Sequence, residues 1–272
     1  MIELLKVIIL GIVEGITEFL PISSTGHLIV AVALLKPEIS LEGTFEIFIQ
    51  LGAVVAVVVY YWRDLWRQVT TVHRDPSVQR LWLCLIIGAI PAGLVGLAVR
   101  SFVKANLFNP LTVAIALIVG GIILIWVERS SFRKHDESAE SADLSAVTLR
   151  QALLIGVAQI TALIPGVSRA AASIIGGMFV GLNRQTATRF SFYLAIPTLG
   201  GATIADLLLS LDELQGSDLI YLAVGAIVSG IVAWFAIGWL LRYVAGHTFV
   251  QFGIYRIIAG IVILVLAALA IL

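Results

Sequence analysis

Apolar residues run along this chain in long blocks that charge rarely interrupts. Three blocks, Leu81 to Val99, Asn109 to Val127 and Leu219 to Leu241, hold no charged residue. Each has the roughly 20 residues that a helix needs to cross a bilayer at about 1.5 Å per residue. Three more are long enough but carry polar groups: Phe45 to Trp62 holds Glu46 and Gln50, Ala187 to Leu209 holds Arg189 and Asp206, and Phe252 to Leu272 holds Arg256. Charge at membrane depth is costly and usually marks function.

Two further apolar regions, Ile2 to Lys36 and Leu149 to Val180, are each broken near the middle. The breaks are Pro21-Ile22-Ser23-Ser24-Thr25-Gly26-His27 and Pro165-Gly166-Val167-Ser168-Arg169. Each region is shorter than the roughly 40 residues two spans require, and each breaks too sharply for one helix. Both are expected to be re-entrant helix-loop-helix hairpins. Irregular backbone at membrane depth must be satisfied by protein or by a polar cavity, so the two tips should line a common one. Glu14, Glu18 and Pro21 also argue against reading the N-terminal stretch as a signal peptide.

The hairpins resemble each other. Sliding the chain by about 144 positions pairs Val13 with Val157, Thr17 with Thr161, Pro21 with Pro165 and Ser24 with Ser168, and Gly88-Ala89-Ile90 finds a counterpart in Gly225-Ala226-Ile227. The expected fold is an all-α polytopic membrane protein built as an inverted-topology repeat, with six full transmembrane helices and two re-entrant hairpins. Residues 1–128 form the first repeat, 129–148 a connector and 149–272 the second repeat. Three spans per half reverse the second half in the membrane, and such repeats place polar sites near the midplane. Lys and Arg crowd the loops around Arg63 to Arg80, Arg129 to Arg150, Arg184 and Arg242. Those loops are assigned to the cytoplasm, which leaves both termini outside.

Composition agrees with a membrane protein: 60% of residues are hydrophobic, 12% are charged and the mean hydropathy is +1.06. Lys plus Arg equal Asp plus Glu at 17 each, so no basic surface exists for nucleic acid, and no nucleic-acid partner is expected. The lone Cys84 cannot form an internal disulfide.

The hairpins also hold the candidate chemistry. Glu14 and Glu18 stand four apart on one helical face, a spacing that lets two carboxylates hold a hard divalent cation. Ser23, Ser24, Thr25 and His27 crowd the first break, either as caps for the second hairpin helix or as parts for metal-assisted or nucleophilic hydrolysis. The second tip brings Ser168 and Arg169 before a helix, an arrangement suited to phosphate. Arg189 reads equally as a site residue, as the partner of Asp206 or Glu46, or as a snorkelling cation. The nucleophile stays open between Ser24 with His27 as base, His27 itself and metal-activated water. The first of these is favoured because the second hairpin keeps a serine, Ser168, opposite Ser24.

The segment Glu14-Gly15-Ile16-Thr17-Glu18-Phe19-Leu20-Pro21-Ile22-Ser23-Ser24-Thr25-Gly26-His27 resembles the first signature of the bacterial undecaprenyl-pyrophosphate phosphatases, also called bacitracin-resistance proteins. Pro165 to Ser173 resembles their second signature, and Arg189 to Pro197 a third family segment. The resemblance implies a multi-pass enzyme of the bacterial cytoplasmic membrane. It would hydrolyse undecaprenyl pyrophosphate with Mg²⁺ or Ca²⁺, in a site open to the outer side, and a homodimer is left open. By position, the resemblance makes Glu14 and Glu18 metal ligands, and Glu18, Ser24, His27 and Arg169 catalytic. Ser23, Thr25, Ser168, Arg169, Ser173 and Arg189 would contact substrate. Ala170 stands where the family usually has Ser, and Ser173 where it usually has Thr. The rival class is a transporter or flippase for a phosphorylated lipid or another anion, since broken helices and inverted repeats are also transporter features.

Overall fold

The computed structural model describes residues 1–37, 44–130, 143–209 and 219–272. All regular structure among the described residues is helical. Helix α1 (Ile2–Thr17) and α2 (Ser24–Leu35) form the first hairpin. There follow α3 (Thr44–Tyr60), α4 (Trp62–Thr71), α5 (Pro76–Asn106) and α6 (Pro110–Arg129). The second hairpin is α7 (Leu149–Gln159), extended by a 3₁₀ turn over Ile160–Leu163, and α8 (Arg169–Phe179). Helices α9 (Arg184–Leu209), α10 (Leu219–Val244) and α11 (Val250–Ala268) complete the chain. Most of the 129–148 connector, residues 210–218 and the side chains of Glu46 and Asp206 lie outside the described residues.

Local sequence sets several helix starts. Asp75 caps α5 by accepting from the Ser77 amide, and Asn109 caps α6 by accepting from that of Thr112. A proline follows each cap at the first helical position, where its missing N–H costs nothing. Thr148 and Gln151 form a reciprocal capping box on α7. Helices α5, α6, α10 and α11 are long and apolar enough to cross a membrane, and α3 with α4 makes a fifth candidate bent by 69°. Their outer faces expose large side chains such as Ile86, Leu97, Ile122, Phe235 and Ile258. In water such a surface would be a liability, whereas lipid tails accept it without penalty.

Helix α4 was not expected, because its charges read as a cytoplasmic loop. It is amphipathic: Leu65 and Gln68 are buried while Trp62, Trp66 and Val69 form an exposed apolar stripe. Tryptophans on such a stripe suit the membrane interface.

Packing crosses between the halves. Helix α1 lies against α10 and α7 against α5, so each hairpin packs on a long helix of the other half, while α3 meets α9 and α6 meets α11. The crossings are close because they are built on glycine. A Cβ on Gly11 would lie 2.8 Å from the carbonyl oxygen of Gly225, and one on Gly156 would clash with that of Gly88. Gly88 and Gly225 are the residues that the sequence comparison paired.

A third link ties the ends of three helices. Glu128, buried at the end of α6, accepts from Arg184 Nε at 2.8 and 3.1 Å and from the Phe249 amide at 2.9 Å. The buried carboxylate is thus matched by a guanidinium and an amide, as burial of charge requires.

Candidate active site

Both hairpins break the same way. Helix α1 ends at Thr17, and the chain turns through Glu18 to Ile22 before α2 begins. Ser23, the residue before α2, has φ 74° and ψ 103°; Ser168, before α8, has φ 72° and ψ 119°. Positive φ is uncommon outside glycine and costs about 1–3 kcal/mol. These are equivalent positions, so the structure corrects the pairing of Ser24 with Ser168. Three residues lead from Pro165 to Ser168 but only two from Pro21 to Ser23, and the extra one is Gly166 at φ 96°. Ser24 and Arg169 are therefore the matching first residues of α2 and α8.

These two side chains converge on one carboxylate. Ser24 Oγ donates to Glu18 Oε2 at 2.6 Å, and Arg169 Nη2 pairs with Glu18 Oε1 at 3.1 Å. The side chains of Glu18 and Arg169 are only 5% and 12% exposed, which makes this a largely buried ion pair. Arg169 also donates through Nη1 to the Ser191 carbonyl at 3.2 Å and lies 5.4 Å from the centre of the Phe19 ring. Phe19 in turn packs edge-on against Phe192. Ser173 donates to the Arg169 carbonyl and shares a 2.7 Å hydrogen bond with Ser191, which fastens α8 to α9 behind the guanidinium.

The other hydroxyls divide. Ser168 accepts from the Ala171 amide at 3.2 Å and so caps α8. Ser23 makes no such side-chain cap on α2, and Ser24 turns to Glu18. Thr25 is half-buried in the first turn of α2. Glu14 lies one turn before Glu18 and is buried. Among the described residues, no group of three or more acidic, histidine or cysteine side chains is placed to hold a metal.

His27 faces elsewhere. Its Nδ1 lies 2.7 Å from the Ser23 carbonyl, which can only accept, so the proton sits on Nδ1. Its Nε2 shares a 2.6 Å hydrogen bond with the Tyr255 hydroxyl, and the two rings are stacked. Neither nitrogen bonds Ser24.

Arg189 does not join the two tips. On α9 it stands two residues before Ser191, a rotation of about 200° at 3.6 residues per turn, so it points away from Arg169. Its guanidinium lies 3.7 Å from Asp64 and 6.0 Å from the centre of the Tyr61 ring, beside a polar cavity of about 410 Å³ lined by Gln68 and Tyr193 among others. Sequence reasoning offered Asp206 or Glu46 as its partner. Asp64, hidden in a stretch read as loop, was missed.

A buried carboxylate, hydroxyl and guanidinium meeting between two broken helices, inside an apolar helical bundle, define an integral membrane protein with a charged internal site. Residues 7–262 match the family of the bacitracin resistance protein BacA. The chain belongs to that family. It is 48% identical over 265 residues to the undecaprenyl-diphosphatase of Deinococcus radiodurans, covering 96% of this chain and 94% of that protein. It is 46% identical to the undecaprenyl-diphosphatase of Albidiferax ferrireducens over 97% and 95% of the two chains. Undecaprenyl-diphosphatase 1 of Chromobacterium violaceum is 47% identical over 94% of each.

Proposed function

We propose that this protein hydrolyses undecaprenyl pyrophosphate to undecaprenyl phosphate and inorganic phosphate, and so recycles a lipid carrier of envelope synthesis at the bacterial cytoplasmic membrane. The observation that carries the reading is the convergence of Ser24 and Arg169 on Glu18, joined to family membership and to the activity for which relatives that match nearly end to end are named. The transporter alternative has no use for a serine hydroxyl held by a carboxylate.

The hydrogen bonds favour Glu18 over His27 as base. Glu18 takes the proton of Ser24 Oγ as that oxygen attacks the terminal phosphorus. The anhydride P–O bond breaks and undecaprenyl phosphate departs with the bonding pair. This leaving group is already a weak base, so it needs no general acid. Glu18 gives that proton up to solvent, then takes one from the water that attacks the phosphoserine and delivers it to the departing Ser24 Oγ, so that inorganic phosphate leaves with Ser24 and Glu18 both restored. Arg169 binds the phosphate and balances charge on it in the transition state. The strained backbone at Ser23 and Ser168 sets the starts of α2 and α8, where Ser24 and Arg169 stand. Ser23, Thr25, Ser168 and Ser173 remain candidates for further phosphate hydrogen bonds. Tyr255 and Ser23 hold the His27 ring in place beside the first tip.

Glu14 and Glu18 suit Mg²⁺ or Ca²⁺ by chemistry, since hard cations prefer carboxylate oxygen and Mg²⁺ often takes only one or two carboxylates together with phosphate and water. When bound there, the ion would neutralise pyrophosphate charge. The reading also takes α3, α5, α6, α9, α10 and α11 as six spans and the two hairpins as re-entrant, with the tips open to the outer side. The exchange of hairpins between the halves supports an inverted repeat.

The test is phosphate release from a polyprenyl diphosphate by purified protein, with and without a chelator. Release that depends on Ser24 supports the reading. Equal release by Ser24→Ala would overturn the mechanism, and none by the unaltered protein the function.

A further inference from the structure

Arg256 lies about two turns into α11 with no exposure to solvent. A guanidinium taken out of water is costly unless its donors are matched. Here the acceptors are five backbone carbonyls. Nη1 donates to Pro21 at 3.2 Å, and Nη2 to Gly166 at 3.1 Å and Val167 at 2.9 Å. Nε and Nη2 reach Leu117 and Ala116 of α6 at 3.4 and 3.3 Å. Pro21 belongs to the first hairpin tip, Gly166 and Val167 to the second. One side chain therefore bridges both tips from behind, on the segments that lead into Ser23 and Ser168. Gly120 makes room for it, because a Cβ there would clash with Nη2.

We propose that Arg256 is a positioning residue for the phosphatase reaction, which locks the two tips in one register so that Ser24 and Arg169 reach Glu18 together. The proposal rests on the reading of those three residues as the reacting cluster. The planar fork is essential to it. Lysine keeps the charge but cannot span carbonyls of both tips and α6 at once. Gly120→Ala leaves the guanidinium intact and pushes it out of place.

The experiment is steady-state kinetics on the full-length protein in detergent with a polyprenyl diphosphate, kcat being normalised to the folded fraction from thermal melts. Arg256→Lys and Gly120→Ala should each lower kcat about tenfold or more, since small displacements of reacting groups are expensive. KM should stay within about threefold, because the loss falls on the transition state. The double variant should be no worse than the poorer single one, because both break the same link. Wild-type kcat per folded molecule in the two variants, losses that multiply, or a change confined to KM would each overturn the proposal. If Arg256→Lys does not fold, Gly120→Ala, which removes no hydrogen-bonding group, carries the test alone. Ser24→Ala in the same assay separates the two readings: full activity there removes the reacting cluster and the proposal with it, whereas a dead Ser24→Ala beside normal Arg256 and Gly120 variants removes the positioning role only.

Discussion

Glu18 and Arg169 pair at 3.1 Å although 151 positions separate them in the chain, each standing at the break of its own hairpin. The pair closes the two halves of the molecule on one point. Because Glu18 also accepts from Ser24, a change at Glu18 should damage chemistry and packing together. Glu18→Gln is expected to lower kcat by about 10²-fold or more, the usual cost of losing a general base. It should also cost on the order of 3 kcal/mol of stability, by leaving a buried guanidinium without its counter-charge. Kinetics and thermal unfolding read the two effects separately, and a normal kcat would take Glu18 out of the reaction.

The nature of the covalent intermediate distinguishes Ser24 from His27. Turnover quenched in acid should trap phosphoserine, stable in acid and labile in base. It should persist in His27→Gln and vanish in Ser24→Ala. An acid-labile adduct that survives in Ser24→Ala would assign the attack to His27.

For the metal, Glu14→Gln should raise the Mg²⁺ or Ca²⁺ concentration needed for half-maximal activity more than it alters kcat at saturating ion. Titration of activity against free ion measures this. An unchanged titration curve would remove Glu14 from the ion's ligands.

Arg189 is expected to matter little. Its pairing with Asp64 is partly exposed and carries the small energy of such pairs, at most about 1 kcal/mol. Arg189→Ala should keep kcat/KM within about threefold of the parent. A loss of a hundredfold would return Arg189 to the substrate.

The glycine crossings should be intolerant. Gly156→Val forces α7 away from α5 and is expected to destabilise by about 1–3 kcal/mol, the range for overpacking. Melting in detergent reports it directly, and an unchanged midpoint would mean that the helices part freely there.

Much of this arrangement could be read from the residues themselves. Pro21 and Pro165 mark the hairpin breaks because proline ends a helix, and the surrounding hydroxyls and charges stand out in otherwise apolar stretches. The apolar blocks locate α5, α6 and α10 for the same reason: nothing but lipid or core suits them. What was missed depends on distance across the fold. Ser24 lies three residues from His27 in sequence, yet the turn after α1 carries Glu18 back to its hydroxyl. A single added residue, Gly166, shifts the second tip by one position, and a gapless comparison cannot see it. Helix α4 hid behind its charges, although Trp62, Trp66 and Val69 already carried helical spacing. Arg256 announced that it needed partners but not that they would be carbonyls of both tips.

The bridge from α11 to both tips bears on how the molecule is made. The hairpin of α1 and α2 leaves the ribosome before α10, against which α1 packs, and before Arg256, which holds its tip. Until then the first half holds Glu18 and Ser24 without Arg169 or the tether. A chain truncated before α11 would hold both hairpins and still lack the side chain that ties their tips, so competence waits for α11.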